Sequence, residues 1–417
     1  MQIKRVETEI GGRKLILETG KIARQADGAV MAYYGDCVVL ATCVRAAPRV
    51  GLDFFPLTVD YREKAYAAGK VPGGFFKREG RPSSKEILTA RMIDRPIRPL
   101  FPDGFKDEIQ VQTFILAADP TFDGDITAIV ASSAAVALTS APFEGPIGAV
   151  RVGYVNGQHV INPTYEQAEQ SDLDMVLAGH RDGINMIEVG AFQVAEQVVT
   201  DACRIGFEVV RQICQVIDDL RAQAGKERSW TPPEPNTELE RLAREKFHDE
   251  CVQRRQIPGK LERQTAIKQL YEQVLNELSP PDADKPPFER NDVLSVLQKI
   301  EQEVLTNQIL STEKRSDGRG PKDLREITCE VGLLPRTHGS ALFCRGETQS
   351  IDGLMEEYSK KFMLHYNFPP FCVGEARRIM GPGRREIGLG ALAERSLTAV
   401  LPPPEKFPYT IRLVSEI

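Results

Sequence analysis

Apolar positions in the first half of the chain follow two rhythms. Short runs rich in Val, Ile and Leu read as strands: Lys14–Thr19, Cys37–Val44, Ile109–Ala118, Gly148–Val155, Met175–Ala178 and Asn185–Val189. Turn residues bound most of them, among them Gly11-Gly12, Asp119-Pro120, Asn156-Gly157 and Asp182-Gly183. Ser84–Asp94 and Thr127–Ser140 read as helices. From Gln193 to Ala224, residues Val194, Val198, Ala202, Ile205, Val209, Ile213, Val216 and Leu220 recur at threes and fours. That spacing predicts one long amphipathic helix.

A proline-rich joint, Thr231-Pro-Pro-Glu-Pro-Asn, continues neither rhythm. The next stretch, Thr237 to about Leu310, is charged, poor in glycine and helical, with proline breaks at Pro280-Pro281 and Pro286-Pro287. It reads as a small all-helical domain, either a solvated spacer or a binding surface. Strand-and-turn grammar returns near Arg315. The expected division is therefore 1–228, a first core; 229–312, an all-α linker domain; and 313–417, the N-terminal portion of a second core.

The last segment repeats the first. Glu18-Thr-Gly through Ala29 resembles Glu330-Val-Gly through Ala341, and Glu86-Ile87 and Arg95 match Glu386-Ile387 and Arg395. A repeat of this size means two copies of one fold. The offset between the copies is 312 in the first block and 300 in the second, so copy two is shorter between them. The join near Gln349–Ile351 falls where copy one holds the strand Cys37–Val44 and the turn after it, and the corresponding residues are expected to exist although this sequence lacks them. A lost central strand would leave unpaired backbone groups.

Composition adds bounds. The 417 residues have room for two or three domains. A formal net charge of -6 excludes a wholly electrostatic nucleic-acid binder, so a polyanion would need a local basic patch. The eight cysteines are scattered, without C-x-x-C or zinc-ligand spacing, which points to reduced, buried thiols and a cytoplasmic location. The N-terminus lacks a signal-peptide core, and the Thr127–Pro142 run suits a buried helix better than a membrane span.

The local basic patch exists. Between Asp60 and Lys106 there are 11 Lys/Arg against 6 Asp/Glu. Phe75 and Phe76 follow Gly73-Gly74 and precede Lys77, Arg78, Arg81, Lys85, Arg91, Arg95 and Arg98. Aromatic faces beside a basic strip suit single-stranded nucleic acid, with bases on rings and phosphates on cations. The other reading is a solvated loop followed by an amphipathic helix with surface ion pairs. For Arg95 and Arg98, phosphate contact and helix-end pairing with Asp94 or Asp103 both stay open.

FFKREGRP, ARMIDRPIRPLFP, SDGRGPKDLR, LPRTHGSALFCRGETQ, FMLHYNFPPFCVGE and GRREIG, in this order around a helical insert, resemble the polynucleotide phosphorylase family. The resemblance runs from Met1 to Ile417. It implies an α/β (α+β) fold of two ribonuclease-PH-like cores, layered like ribosomal protein S5 domain 2, joined by an all-helical domain. It implies a homotrimeric ring that degrades single-stranded RNA from the 3′ end. Inorganic phosphate is the co-substrate, nucleoside diphosphates are released, and mRNA turnover is the setting. Phe75, Phe76, Lys77, Arg78 and Arg81 resemble the family's channel-constriction loop, with Lys77 in place of a common arginine.

Arg384 and Arg385 resemble the family's active-site pair, which binds the RNA 3′ end and the attacking phosphate. An anionic nucleophile approaching an anionic diester requires such cations. Leu389 stands where the family carries histidine and removes a hydrogen-bond donor. The Mg²⁺ ligands and acid-base cluster are expected beyond Ile417, as are the KH and S1 domains. In copy one, Ser132-Ser133 hold the place of the family's serine phosphate pocket, with tight helix packing as the other reading, and Asp174 fits the place of the acidic cluster, but Val176 replaces the lysine and Ala168 the first acid. Copy one is therefore expected to guide RNA without catalysis.

Two rivals stand beside this reading, the first from a different class. One is a non-catalytic RNA-binding ring component, and the other is a single-core relative acting on tRNA ends, which the tandem repeat opposes. Partners in an RNA-degradation complex are compatible with the resemblance, and no membrane association is expected.

Overall fold

A computed structural model describes residues 2–48, 54–73, 77–232, 234, 236–281, 286–345, 348–356, 362–368, 382–402, 406–407 and 409–416. Residues 1–232 and 353–417 form one compact body, and 233–352 form a second.

The first body opens with β1 (Lys4–Ile10) and β2 (Arg13–Thr19), an antiparallel hairpin turned by Gly11 and Gly12 at φ +56° and +75°. β3 (Gly28–Tyr34), β4 (Cys37–Ala46), β5 (Leu57–Glu63) and β6 (Glu108–Ala117) complete a six-stranded sheet of order β1-β2-β3-β4-β6-β5. β5 and β6 are parallel, so the chain must cross over between them, and α1 (Ser84–Ile97) makes that crossing while packing on β5. β7 (Gly148–Val155), β8 (Gln158–Ile161), β9 (Leu173–His180) and β10 (Gly183–Ala191) form a second, antiparallel sheet of order β10-β9-β7-β8.

Helix α2 (Asp125–Ala137) touches β3, β4 and β6 on one side and β7 on the other. Every residue of it is buried, which is why its sequence is mostly small and apolar on every face. Contact is so close that a Cβ on Gly28 would lie 2.0 Å from the carbonyl oxygen of Ala135, so only glycine fits there. Ser132 and Ser133 are fully buried yet satisfied. The Ser132 hydroxyl donates to the Ala128 carbonyl at 2.7 Å, and Ser133 Oγ accepts the Ile147 N–H at 2.8 Å.

The long helix is α4 (Glu196–Ala224), against β7, β9, β1 and β2. Its buried ridge runs through Ala202, Gly206, Val210, Ile213, Ile217 and Leu220, so Val198 and Ile205 sit beside the core rather than in it. A short helix α3 (Tyr165–Glu169) precedes β9.

The second body is three helices, α5 (Thr237–Arg255), α6 (Lys260–Leu278) and α7 (Arg290–Thr312), followed by β11 (Ile327–Val331) and β12 (Gly339–Arg345) as a hairpin. The helices close on Leu239, Phe247, Leu270, Val274, Leu297 and Ile300. Besides the expected proline breaks, the chain turns at Gly259 (φ +84°), directly before α6.

After β13 (Thr348–Glu356), the first body resumes with β14 (Phe362–Asn367), α8 (Arg384–Thr398) and β15 (Ile411–Glu416). β14 pairs parallel with β15 and α8 packs on β14, as α1 packs on β5 beside β6. β13 follows β12 as β4 follows β3; the ten residues between Ala46 and Leu57 correspond to five between Glu356 and Phe362, and the twenty between Glu63 and Ser84 to sixteen between Asn367 and Arg384.

Cys37, Cys43, Cys214 and Cys251 are buried as expected, Cys203 and Cys344 are partly so, and Cys329 is exposed. Burial pushes the Cys37 and Cys214 thiols up to about 12, so neither is a nucleophile at neutral pH.

Candidate functional site

Two matched helices build the site. The Ser83 N–H donates to Glu86 at 2.6 Å and Ser83 Oγ accepts the Glu86 N–H at 3.2 Å, a capping box that starts α1. Glu386, its counterpart, accepts the Gly383 N–H at 2.6 Å and starts α8. The helices meet at Gly388, where a Cβ would lie 3.4 Å from both Arg91 Cδ and Ile87 Cγ2.

Beside this crossing lies a cleft of about 260 Å³ whose lining includes Asp60, Arg91, Asp94, Arg98, Arg384 and Arg385. Its carboxylates are engaged. Arg384 Nη1 donates to Asp60 at 2.8 Å, and Arg98 donates to both Asp94 oxygens at 3.0 and 2.7 Å. Glu86 accepts the Ser83 and Glu63 N–H groups and faces Arg62 at 3.3 Å. Arg91 and Arg385 have no partner among the described residues. The cleft thus carries unspent positive charge at a helix N-terminus, where the macrodipole disfavours cations unless an anion lies between them.

The remaining sequence-predicted residues disperse. Phe75 and Phe76 lie outside the described residues. Lys77, at φ +50°, and Arg78 and Arg81 are exposed and unpaired among the described residues. Arg95 pairs with Glu188 at 3.7 Å. Of the two roles open for Arg98, the structure displays helix-end pairing with Asp94, and Arg98 also donates to the carbonyls of Phe55 and Leu57 at 3.3 and 3.0 Å.

In copy one the place of Arg385 belongs to Lys85, at the offset of Glu86 and Glu386. Lys85 is spent on Glu63 at 2.8 Å and Asp123 at 2.9 Å. Burial works against its charge, but Asp123 and Glu63 outweigh it and hold the ammonium above the ordinary lysine range. Beside it Arg151 donates to Asp125 at 2.6 Å and, by a short contact, to Asp174. Burial pushes the Asp125 carboxyl up against the pull of Arg151. Copy one therefore holds a self-compensated ion network where copy two presents open arginine. Sequence reading missed Asp60, Glu63, Asp123, Asp125 and Arg151; the run Phe122-Asp-Gly-Asp125 opening a helix of small, mostly apolar residues was the available signal.

Among the described residues no three His, Cys, Asp or Glu side chains gather so as to hold a metal ion, and no helix is long and apolar enough to cross a membrane.

The model of domain 1 of the 3′ exoribonuclease family matches residues 11–142 and again 323–417. The chain belongs to the 3′ exoribonuclease family. This 3′ exoribonuclease-family chain also matches that family's domain 2 over 145–209, the β7–β10 sheet and the start of α4. Its helical segment matches the RNA-binding domain of polyribonucleotide nucleotidyltransferase over 238–320.

A polyribonucleotide nucleotidyltransferase of Heliobacterium modesticaldum is 48% identical over 424 residues, covering 98% of this chain and 59% of the relative. One from Rhodospirillum centenum is 49% identical over 438 residues, covering 100% and 60%. The chain thus spans about three-fifths of the length of these relatives. A rice (Oryza sativa) Rrp46 structure aligns with 52% of this chain and 92% of its own at TM-score 0.40 and 13% identity.

Proposed function

We propose that the chain serves as a polyribonucleotide nucleotidyltransferase, a phosphorolytic exoribonuclease that shortens single-stranded RNA from its 3′ end and releases nucleoside diphosphates. The observation that carries this reading is Arg385, unpaired among the described residues beside Arg384 at the start of α8, in a cleft whose carboxylates are already committed. Phosphate and the scissile diester are both anions, so guanidinium groups that bring them together lower the barrier by charge neutralisation and orientation. Lys77, Arg78 and Arg81, with Phe75 and Phe76, are proposed to hold the incoming strand. Copy one, its equivalent lysine neutralised, guides RNA and performs no chemistry.

We assign inorganic phosphate as co-substrate, a homotrimer as the working assembly, the cytoplasm as its location and mRNA turnover as its setting. Partners in an RNA-degradation complex fit the same role. Family members use Mg²⁺; the described residues offer no ligand set for it, so no step is routed through the ion.

Poly(A), phosphate and Mg²⁺ test the reading. ADP release is expected, with R384A/R385A abolishing it. K77A/R78A/R81A should weaken oligoadenylate binding and lower the salt slope by about 2, from roughly 0.7 per lost phosphate contact on single strands. RNA binding without ADP release would establish the non-catalytic ring component instead.

A further inference from the structure

We infer that Asp60, on a strand of the first copy, is a positioning residue for the anion-binding pair of the second copy, a role that rests on the function proposed above.

The two copies treat their matched cations differently, and β5 serves both. Glu63 of β5 joins Asp123 in clamping Lys85 at 2.8 and 2.9 Å, which leaves that ammonium little to offer an incoming anion. Three residues earlier, Asp60 gives Arg384 a single contact, Nη1 to Oδ1 at 2.8 Å. Among the described residues Nε and Nη2 of Arg384 have no partner, and neither has Arg385.

Asp60 is suited to hold its partner still. Its backbone lies in the parallel β5–β6 ladder opposite Gln112, and its side chain is 24% exposed. Arg384 is the first residue of α8 and is 60% exposed, so without a partner its long side chain would sample many rotamers. Fixing it beforehand removes part of the ordering cost of binding.

Charge and positioning predict opposite signs, which makes the inference decidable. Deleting a carboxylate beside an anion site strengthens anion binding if only Coulomb attraction counts. Deleting a carboxylate that orients the guanidinium weakens it.

The test measures binding of a fluorescent oligoadenylate tetramer to the full chain carrying D60A, D60E, R384A or D60A/R384A. D60A should weaken binding about threefold, within the range of a partly exposed ion pair, with the unfolding midpoint unchanged. D60E, which keeps the carboxylate, should recover most of the loss, and D60A should add nothing in the R384A background. Binding unchanged or tightened by D60A while R384A weakens it overturns the role of Asp60 alone. If R384A has no effect either, the assignment of the arginine pair falls and takes Asp60 with it.

Discussion

Arg95 and Arg395, matched residues of the two copies, converge on one carboxylate, Glu188. Arg95 reaches it at 3.7 Å and Arg395 by a shorter contact, while Glu188 itself is 16% exposed. Glu188 stands on β10, an edge strand of the second sheet, so a single acid ties α1 and α8 to a third element.

Removing that tie should loosen α8 first. Both arginines are about half exposed, so solvent screening limits the effect of E188Q to about 1 kcal/mol. Hydrogen exchange of α8 amides should speed up roughly fivefold, the equivalent of that energy, while α2 amides keep their protection. Equal rates in wild type and variant would show that packing at Gly388 alone seats the helix.

Ser133 should matter for folding and not for anions. S133A strands the Ile147 N–H in a fully buried place, a loss of about 1–3 kcal/mol. Urea unfolding should register it, with oligoadenylate affinity unmoved. A loss of affinity without a loss of stability would return this serine to a binding role.

Acid should weaken the first body through Asp27 and Asp119. Burial alone would raise both carboxyls, but the opposing hydrogen bonds prevail. Asp27 accepts the Arg45 N–H at 2.9 Å and meets Lys226 at 3.1 Å. Asp119 accepts from the Thr121 hydroxyl and N–H at 2.5 and 2.8 Å and from the Asp36 N–H at 2.9 Å. Both therefore titrate below the ordinary value of 3.8 in the folded state. The unfolded chain binds these protons first as pH drops, so the stabilisation is complete above 3.8 and drains away as pH falls through the folded values. D27N/D119N should show a lower urea midpoint at neutral pH and a flatter decline below pH 4; an undiminished decline would place the acid sensitivity elsewhere.

By itself the sequence determined the strands around Cys37–Val44 and Gly148–Val155, the long helix, the helical insert and the duplication, because each is written in local periodicity or in repeated words. It concealed β1, whose Lys-Arg-Val-Glu-Thr-Glu-Ile alternation looks like surface although it completes an edge of the first sheet. Only the tertiary structure decided which cations are spent. Lys85 meets Asp123, Arg95 meets Glu188, and Arg384 meets Asp60 across 324 positions of chain. Charge pairing acts through space over a few ångströms, and no periodicity along the chain records which side chains folding will bring that close.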